Sequence, residues 1–114
     1  MHYLLLIYGD EARWESMPDD DRSATYREYG ALSADLREQG KLLGGEELQP
    51  VTTATTVQVR NGDTLVSDGP YAETKEALGG FFLIEAESLD EAIEWASRIP
   101  TARTGTVEVR PVAQ

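Results

Sequence analysis

The sequence predicts an α+β domain, and three observations lead to that prediction. Two segments, residues 18–39 and 88–99, carry apolar residues at steps of three and four, as amphipathic helices do. Short runs rich in β-branched and aromatic residues lie between them and on either side, which indicates strands. The chain has 114 residues and neither a linker nor a repeat, so we expect residues 1–114 to form one domain.

The first half of the chain predicts a strand, a helix and a second strand. Residues 3–8 are apolar without a break, so the strand at residues 2–8 is expected to be buried on both faces. The helix at residues 18–39 begins at Pro18, and the three aspartates that follow suit the positive end of its dipole. The strand at residues 42–48 contains two glycines in succession, which indicates either a β-bulge or a close approach of another backbone segment.

The second half begins with a hairpin. Residues 55–60 and 63–67 flank Asn61 and Gly62, the residue pair that a type I′ turn prefers. A strand at residues 80–85, the helix at residues 88–99 and a last strand at residues 106–110 follow. The helix begins with the capping box SLDE, in which the first and last side chains each accept a backbone amide.

This order of elements predicts a ferredoxin-like fold. Two right-handed β-α-β units joined through the hairpin give an antiparallel or mixed sheet with two helices on one face. Residues 3–8 and 81–84, however, are apolar on both faces of the sheet. Each large side chain left uncovered forgoes roughly 1.5–3 kcal/mol of burial. We therefore predict a homodimer in which two sheets pack face to face.

Composition narrows the classes of partner and site. The net charge is −11, from 21 acidic and 10 basic residues, and this field repels nucleic acid and anionic membranes. It is compatible with a basic protein partner or a cationic ligand, and the structural alternative, which we prefer, is that the charge serves solubility. No leader-like segment and no apolar run of roughly 20 residues is evident, which predicts a cytoplasmic protein. With one histidine and no cysteine, we expect neither a metal site nor a cofactor.

The loop at residues 68–76, DGPYAETKE, is the most informative stretch of the sequence. It begins with an Asp-Gly-Pro turn signal, concentrates charged and hydroxyl side chains, and precedes a buried strand. Polar loops held by rigid elements are where binding and catalysis concentrate.

A family resemblance rests on this loop and on both ends of the chain. The runs that carry it are DGPYAETKE, LGGF at residues 78–81, YLLLIYGDE at residues 3–11 and GTVEVRP at residues 105–111. They resemble the YCII-related proteins of the DGPF type, which usually have Phe at the position of Tyr71. The resemblance implies a dimeric α/β-barrel built from ferredoxin-like subunits.

The resemblance also bears on chemistry and partners. The wider group carries a His–Asp pair proposed as catalytic, with the histidine in the first helix. Here the histidine is His2, at the start of the first strand, so that half of the pair does not carry over. Asp68 lies in the region of the acid. DGPF-type proteins occur beside, or fused to, sigma factors of the extracytoplasmic-function type, which implies a sigma-factor-like protein as partner.

Asp68 and Glu73 are the candidate catalytic residues, because a carboxylate in a polar loop can transfer protons. The structural alternative for Asp68 is an Asx-turn, in which its carboxylate accepts a nearby backbone amide. Lys75 lies between Glu73 and Glu76, which keeps it charged and suits it to bind an anion. The alternative for these three residues is an exposed ion-pair cluster worth roughly 0–1 kcal/mol.

Tyr71, Thr74 and Arg13 complete the predicted ligand contacts. Tyr71 either donates a hydrogen bond into a cleft or covers the rim of the dimer interface. Arg13, after the first strand, is placed to bind an anionic group. Tyr26 and Tyr29 have the spacing of core residues on the first long helix.

Two functions follow from these residues. In the first, a homodimer binds a small molecule beside the loop at residues 68–76, with proton transfer by Asp68 or Glu73. Trp14 then either closes the pocket as a lid or covers the end of the core. In the second, the protein is a regulatory module that binds a sigma-factor-like protein and has no catalytic activity.

Overall fold

The structure, a computed structural model, describes residues 1–113 and has a four-stranded antiparallel sheet at its centre. Its four strands are β1 (His2–Gly9), β2 (Leu42–Glu47), β5 (Ala77–Glu85) and β6 (Thr106–Pro111). The strand order is β2-β5-β1-β6, and every neighbouring pair is antiparallel. This order confirms the predicted ferredoxin-like arrangement.

In the described part of the chain, three α-helices accompany the sheet: α1 (Glu11–Ser16), α2 (Asp19–Glu38) and α3 (Leu89–Ser97). The two long helices, α2 and α3, were predicted within two residues at each end. Helix α1 was not predicted. Within residues 1–113, none of the helices has the length and apolar character needed to cross a bilayer.

The core lies between the sheet and helices α2 and α3. Alternate residues of β1 point into it, and each of them is less than one-tenth exposed. Leu36 of α2 and Ile84 of β5 are fully buried, so truncating either to alanine is expected to cost about 2–5 kcal/mol. The residues of the core cluster on these elements include Tyr3, Leu5, Ile7, Leu32, Leu36, Phe82, Ile84, Trp95 and Ile99.

The opposite face of the sheet, which we call the open face, is also apolar. Its central residues are Leu4 and Leu6 of β1, which pair with Leu83 and Phe81 of β5. All four are half-buried, whereas helices α2 and α3 pack on the other face. The sequence predicted large apolar side chains on both faces of the sheet. The helices therefore cover these side chains on one face only.

The hairpin forms a separate two-stranded sheet of β3 (Thr55–Arg60) and β4 (Asp63–Asp68), here called the β3–β4 arm. Its turn has the predicted geometry, because Asn61 and Gly62 adopt φ values of 52° and 82°. Nearly every residue of both strands is exposed. The arm therefore projects from the four-stranded sheet instead of extending it.

Candidate functional site

A cleft of about 620 Å³ lies between α1, the middle of α2 and the neighbouring ends of β2 and β5. We call it the α1–α2 cleft. The buried residues Ile7, Gly80 and Phe82 form its floor on the helix side of the sheet. The aromatic and acidic residues of its walls and rim include Asp10, Glu11, Trp14, Glu15, Tyr26, Tyr29, Glu46 and Glu47.

Three sets of hydrogen bonds fix helix α1 at the edge of this cleft. The Asp10 carboxylate caps the helix by accepting the amides of Ala12 and Arg13 at 3.0 and 3.3 Å. The Glu11 carboxylate accepts the amide of Val51 at 3.1 Å, which ties α1 to the short 3-10 turn Val51–Thr53. The Arg22 guanidinium of α2 donates to the carbonyls of Trp14 and Glu15. These contacts hold the ring of Trp14 over the cleft.

Two aromatic contacts form the wall on the α2 side. The Trp14 and Tyr26 rings meet edge to face with their centroids 5.3 Å apart. Tyr29 stacks on Phe82 at 6.3 Å, and its hydroxyl lies 2.6 Å from the Thr101 hydroxyl. Burial raises the pKa of Tyr29 and outweighs the opposing effect of that hydrogen bond. Tyr29 therefore remains a neutral phenol at physiological pH.

Tyr26 and Glu47 form the main polar contact across the cleft. The Tyr26 hydroxyl donates to the two carboxylate oxygens of Glu47 at 3.0 and 3.2 Å. Partial burial raises the pKa of Tyr26, and the hydrogen bond to Glu47 and the charge of that carboxylate raise it further. The prediction that Tyr26 is a core residue was wrong: its side chain is 49% exposed, because it turns towards the cleft instead of the sheet.

The charged residues in the lining of the cleft are predominantly acidic. Five carboxylate residues border it, and Arg13 is the one basic residue in the lining. Within residues 1–113, no three His, Asp or Glu side chains lie close enough together to hold a metal ion. The carboxylates of the cleft therefore do not converge on one point. The arrangement suits a diffuse charge better than a point charge.

Arg13, Glu73 and Thr74 are the predicted site residues that line a cavity. Arg13 borders the α1–α2 cleft from helix α1. Glu73 and Thr74 border a smaller cavity of about 250 Å³ between the Asp-Gly-Pro turn and the 3-10 turn. Ala77 belongs to both linings, so the two cavities adjoin there.

Asp68, Tyr71 and Lys75 line neither of these cavities. Asp68 is the last residue of β4 and is exposed, and Tyr71 is 87% exposed. Within residues 1–113 no backbone amide donates to the Asp68 carboxylate, so the alternative of an Asx-turn was wrong. The turn is instead held by Thr56 Oγ1, which donates to the Gly69 carbonyl at 2.7 Å. The structure therefore separates these three residues from the cleft.

The expected ion-pair cluster around Lys75 is not formed either. Lys75 is exposed, and none of the ion pairs in the described part of the chain joins it to Glu73 or Glu76. The Glu76 carboxylate instead accepts the hydroxyl of Thr106 at 2.8 Å, which anchors the end of the loop to β6.

His2 and Arg110 lie away from the cleft. His2 Nε2 is 3.0 Å from a carboxylate oxygen of Glu85, at the other end of β1. Arg110 pairs with Glu108 through its Nε at 2.7 Å, as expected for a sheet-face residue beside an acid. Neither contact brings a group to the cleft.

The sequence did not identify Glu47 as a site residue. It lies on an edge strand within the run Gly-Gly-Glu-Glu-Leu, which has no distinctive motif. Its role depends on Tyr26, which lies 21 positions earlier, and on a helix α1 that was not expected.

Comparison with known proteins supports the resemblance noted in the sequence. A family model described as the YCII-related domain matches residues 1–114. An uncharacterized protein of Rhizobium meliloti is 41% identical over 115 residues, which cover 99% of this chain and 93% of that relative.

Proposed function

The chain belongs to the YCII-related family, and from that premise we propose that it acts as a homodimer that binds a small molecule in the α1–α2 cleft. The shape and lining of the cleft are the observation that carries the proposal. Its volume of about 620 Å³ lies within the range of ligand pockets, and an apolar floor faces a few convergent polar groups. Ligand sites commonly have this composition because apolar contact supplies affinity and polar groups fix orientation.

The open face of the sheet supports the homodimer. Leu4, Leu6, Phe81 and Leu83 form an apolar surface that helices α2 and α3 leave uncovered. A contiguous apolar surface of this kind is typical of an interface between proteins. A second copy of the same face is a self-complementary cover, as two-fold symmetry requires.

Proton transfer is the chemistry that these side chains support best. Glu47 is an exposed carboxylate held by the Tyr26 phenol, and Glu73 borders the adjoining cavity. Both are candidates for a general base acting on a bound molecule. Asp68 lies at the end of β4, outside both cavities, and its part in catalysis stays a prediction.

A fragment screen by ligand-observed NMR tests the binding site. Trp14→Ala removes an aromatic wall of the cleft, and Tyr71→Ala removes an exposed aromatic residue of the loop at residues 68–76. We expect the first variant to lose the fragments that bind the wild type and the second to keep them. Loss of fragment binding in Tyr71→Ala but not in Trp14→Ala would instead indicate a site at the loop.

Sedimentation of the purified protein tests the homodimer. Leu6→Glu places a charge in the middle of the open face, and Ile93→Glu places the same charge at an exposed position of α3. We expect the wild type and Ile93→Glu to be dimers and Leu6→Glu to be a monomer. A wild type that is monomeric at all concentrations contradicts this part of the proposal.

The β3–β4 arm favours a second candidate function, that of a regulatory module for a sigma-factor-like protein. Val57 and Val66 pair on one face of the arm and are 59% and 64% exposed, and Val59 on the same face is 59% exposed. The net charge of −11 would attract a basic partner. Binding of a purified extracytoplasmic-function sigma factor at low salt, lost in Val57→Asp and kept in Trp14→Ala, would support this function. Absence of binding to the wild type would contradict it.

A further inference from the structure

We propose that the molecule bound in the α1–α2 cleft is a small organic cation that carries an amine beside an apolar group. The inference rests on the proposed function, because it names the chemical class of the ligand of that cleft. It combines the charge of the lining, the free carboxylates and the aromatic wall.

The charge of the lining selects against anions. Five carboxylate residues and one guanidinium, that of Arg13, border the cleft. A ligand with a carboxylate or phosphate would be attracted by Arg13 and repelled by several carboxylates. An ammonium group would be attracted by those carboxylates and repelled by Arg13 alone. The net charge of the whole chain, −11, adds to this preference.

Not every carboxylate of the lining is available to a ligand. Asp10 caps helix α1, and Glu11 accepts the amide of Val51, so both are engaged in holding the wall of the cleft. The Glu15 carboxylate accepts no hydrogen bond within residues 1–113, whereas Glu46 pairs with Phe81 and so lies on the open-face side of β2. Glu47 accepts only the hydroxyl of Tyr26, and a carboxylate has further lone pairs for an ammonium group.

Aromatic rings border the same space as these carboxylates. Trp14 and Tyr26 meet edge to face, and both line the cleft together with Glu47. Indole and phenol faces attract organic cations, most strongly where the cation is partly removed from water. An aromatic wall beside a carboxylate therefore matches an amine with an apolar body.

A metal ion fits the same lining less well. Divalent cations need oxygen ligands that converge at about 2.0–2.6 Å from a single point. In residues 1–113 no three acidic or histidine side chains come together in this way. The carboxylates surround the cleft instead, which suits a cation whose charge is spread over a larger group.

Three probes that share a phenyl group test the proposal: phenethylamine, 2-phenylethanol and 3-phenylpropanoate. Their affinities for the full-length protein are measured by NMR titration at low and at physiological salt. We expect phenethylamine to bind about tenfold more tightly than the other two, with an advantage that shrinks as salt is added. Glu47→Gln is expected to remove most of this advantage and leave 2-phenylethanol unaffected, whereas Glu94→Gln, which removes the same charge from α3, changes neither affinity.

The outcomes separate this inference from the proposed function. Equal binding of all three probes at the cleft, or tightest binding of the carboxylate, overturns the cationic ligand and leaves a small-molecule site. Binding of no probe to a correctly folded wild type contradicts both. Selective binding of phenethylamine that Glu47→Gln does not change overturns the role given to that carboxylate.

Discussion

The hydroxyl of Tyr26 donates to both carboxylate oxygens of Glu47, at 3.2 and 3.0 Å, and so joins helix α2 to strand β2 across the mouth of the α1–α2 cleft. The two residues are 21 positions apart, and both side chains remain partly accessible. The phenol is thus held as a hydrogen-bond donor to a carboxylate that borders the cleft.

Glu47→Gln is predicted to lower the pKa of Tyr26. Partial burial raises that pKa in the wild type, and the Glu47 carboxylate raises it further because a nearby negative charge opposes formation of tyrosinate. Glu47→Gln removes the contribution of the carboxylate charge to the pKa of Tyr26 and leaves the contribution of burial. The pKa is measured from the ¹³C signal of tyrosine labelled at Cζ. Glu46→Gln, one residue away, is the control, and an unchanged pKa in Glu47→Gln would show that the contact is not made in solution.

Gly45→Ala is predicted to destabilise the protein, and Gly44→Ala is predicted not to. A Cβ at Gly45 would lie 2.8 Å from the carbonyl oxygen of Phe81, a backbone atom of the neighbouring strand, whereas a Cβ at Gly44 would have open space. We expect Gly45→Ala to lower the free energy of unfolding by about 1–3 kcal/mol. Urea unfolding at one protein concentration measures both variants. Equal stability would mean that β2 does not pair with β5 in this register.

Acid stability is predicted to depend on Glu91. Its carboxylate accepts Lys41 Nζ at 2.7 Å and the amide of Glu87 at 3.1 Å, and its own amide donates to Ser88 Oγ at 3.2 Å. The hydrogen bond from Lys41 is the largest cause of the lowered pKa of Glu91. A lowered pKa stabilises the folded state above the ordinary glutamate pKa of about 4.3, and this contribution disappears as the pH falls through the lowered value.

Glu91→Gln is therefore expected to be less stable than the wild type at pH 7 and to approach it below about pH 4. Glu94→Gln removes the same charge from α3 without these contacts and serves as the control. Thermal unfolding measured from roughly pH 3 to pH 7, a range in which carboxyl groups titrate, gives the comparison. A constant difference at every pH would assign the effect of the variant to packing instead of ionisation.

The amides of the β3–β4 arm are predicted to exchange with solvent far faster than those of β1 and β5. The arm has exposed strands and joins the rest of the chain at its base, where the Gly69 amide donates to the Ala54 carbonyl at 2.7 Å. An isolated two-stranded hairpin is marginally stable in water, so its opening does not require global unfolding. Hydrogen exchange read by mass spectrometry measures this. Protection equal to that of β1 would mean that another molecule covers the arm.

Local signals in the sequence were enough to predict most of the fold. Asn61 and Gly62 specify their turn through backbone preference alone, and the apolar spacing correctly places Leu32 and Leu36 of α2 in the core, although not Tyr26. The capping box was predicted at the right place, with one difference. The Glu91 side chain accepts the amide of Glu87 instead of that of Ser88. Each of these features depends on residues only a few positions apart.

The cleft could not be predicted in the same way, because it depends on contacts between distant residues. Helix α1 has only six residues and no buried side chain, so it shows no apolar period. Its position depends on the contact of Glu11 with Val51, which is 40 positions away. The charged loop drew attention because its residues are adjacent in sequence, yet Asp68, Tyr71 and Lys75 are exposed and line neither cavity.

The central claim is tested most directly by the two indole N–H signals in the ¹H–¹⁵N spectrum of the labelled protein during titration with phenethylamine. The chain has two tryptophans, Trp14 in the wall of the cleft and Trp95 in the core. Binding in the α1–α2 cleft predicts that the Trp14 signal moves together with the backbone amides of Glu47 and Gly80, while the Trp95 signal stays in place. Shifts confined to residues 68–76, with both indole signals unmoved, would contradict it.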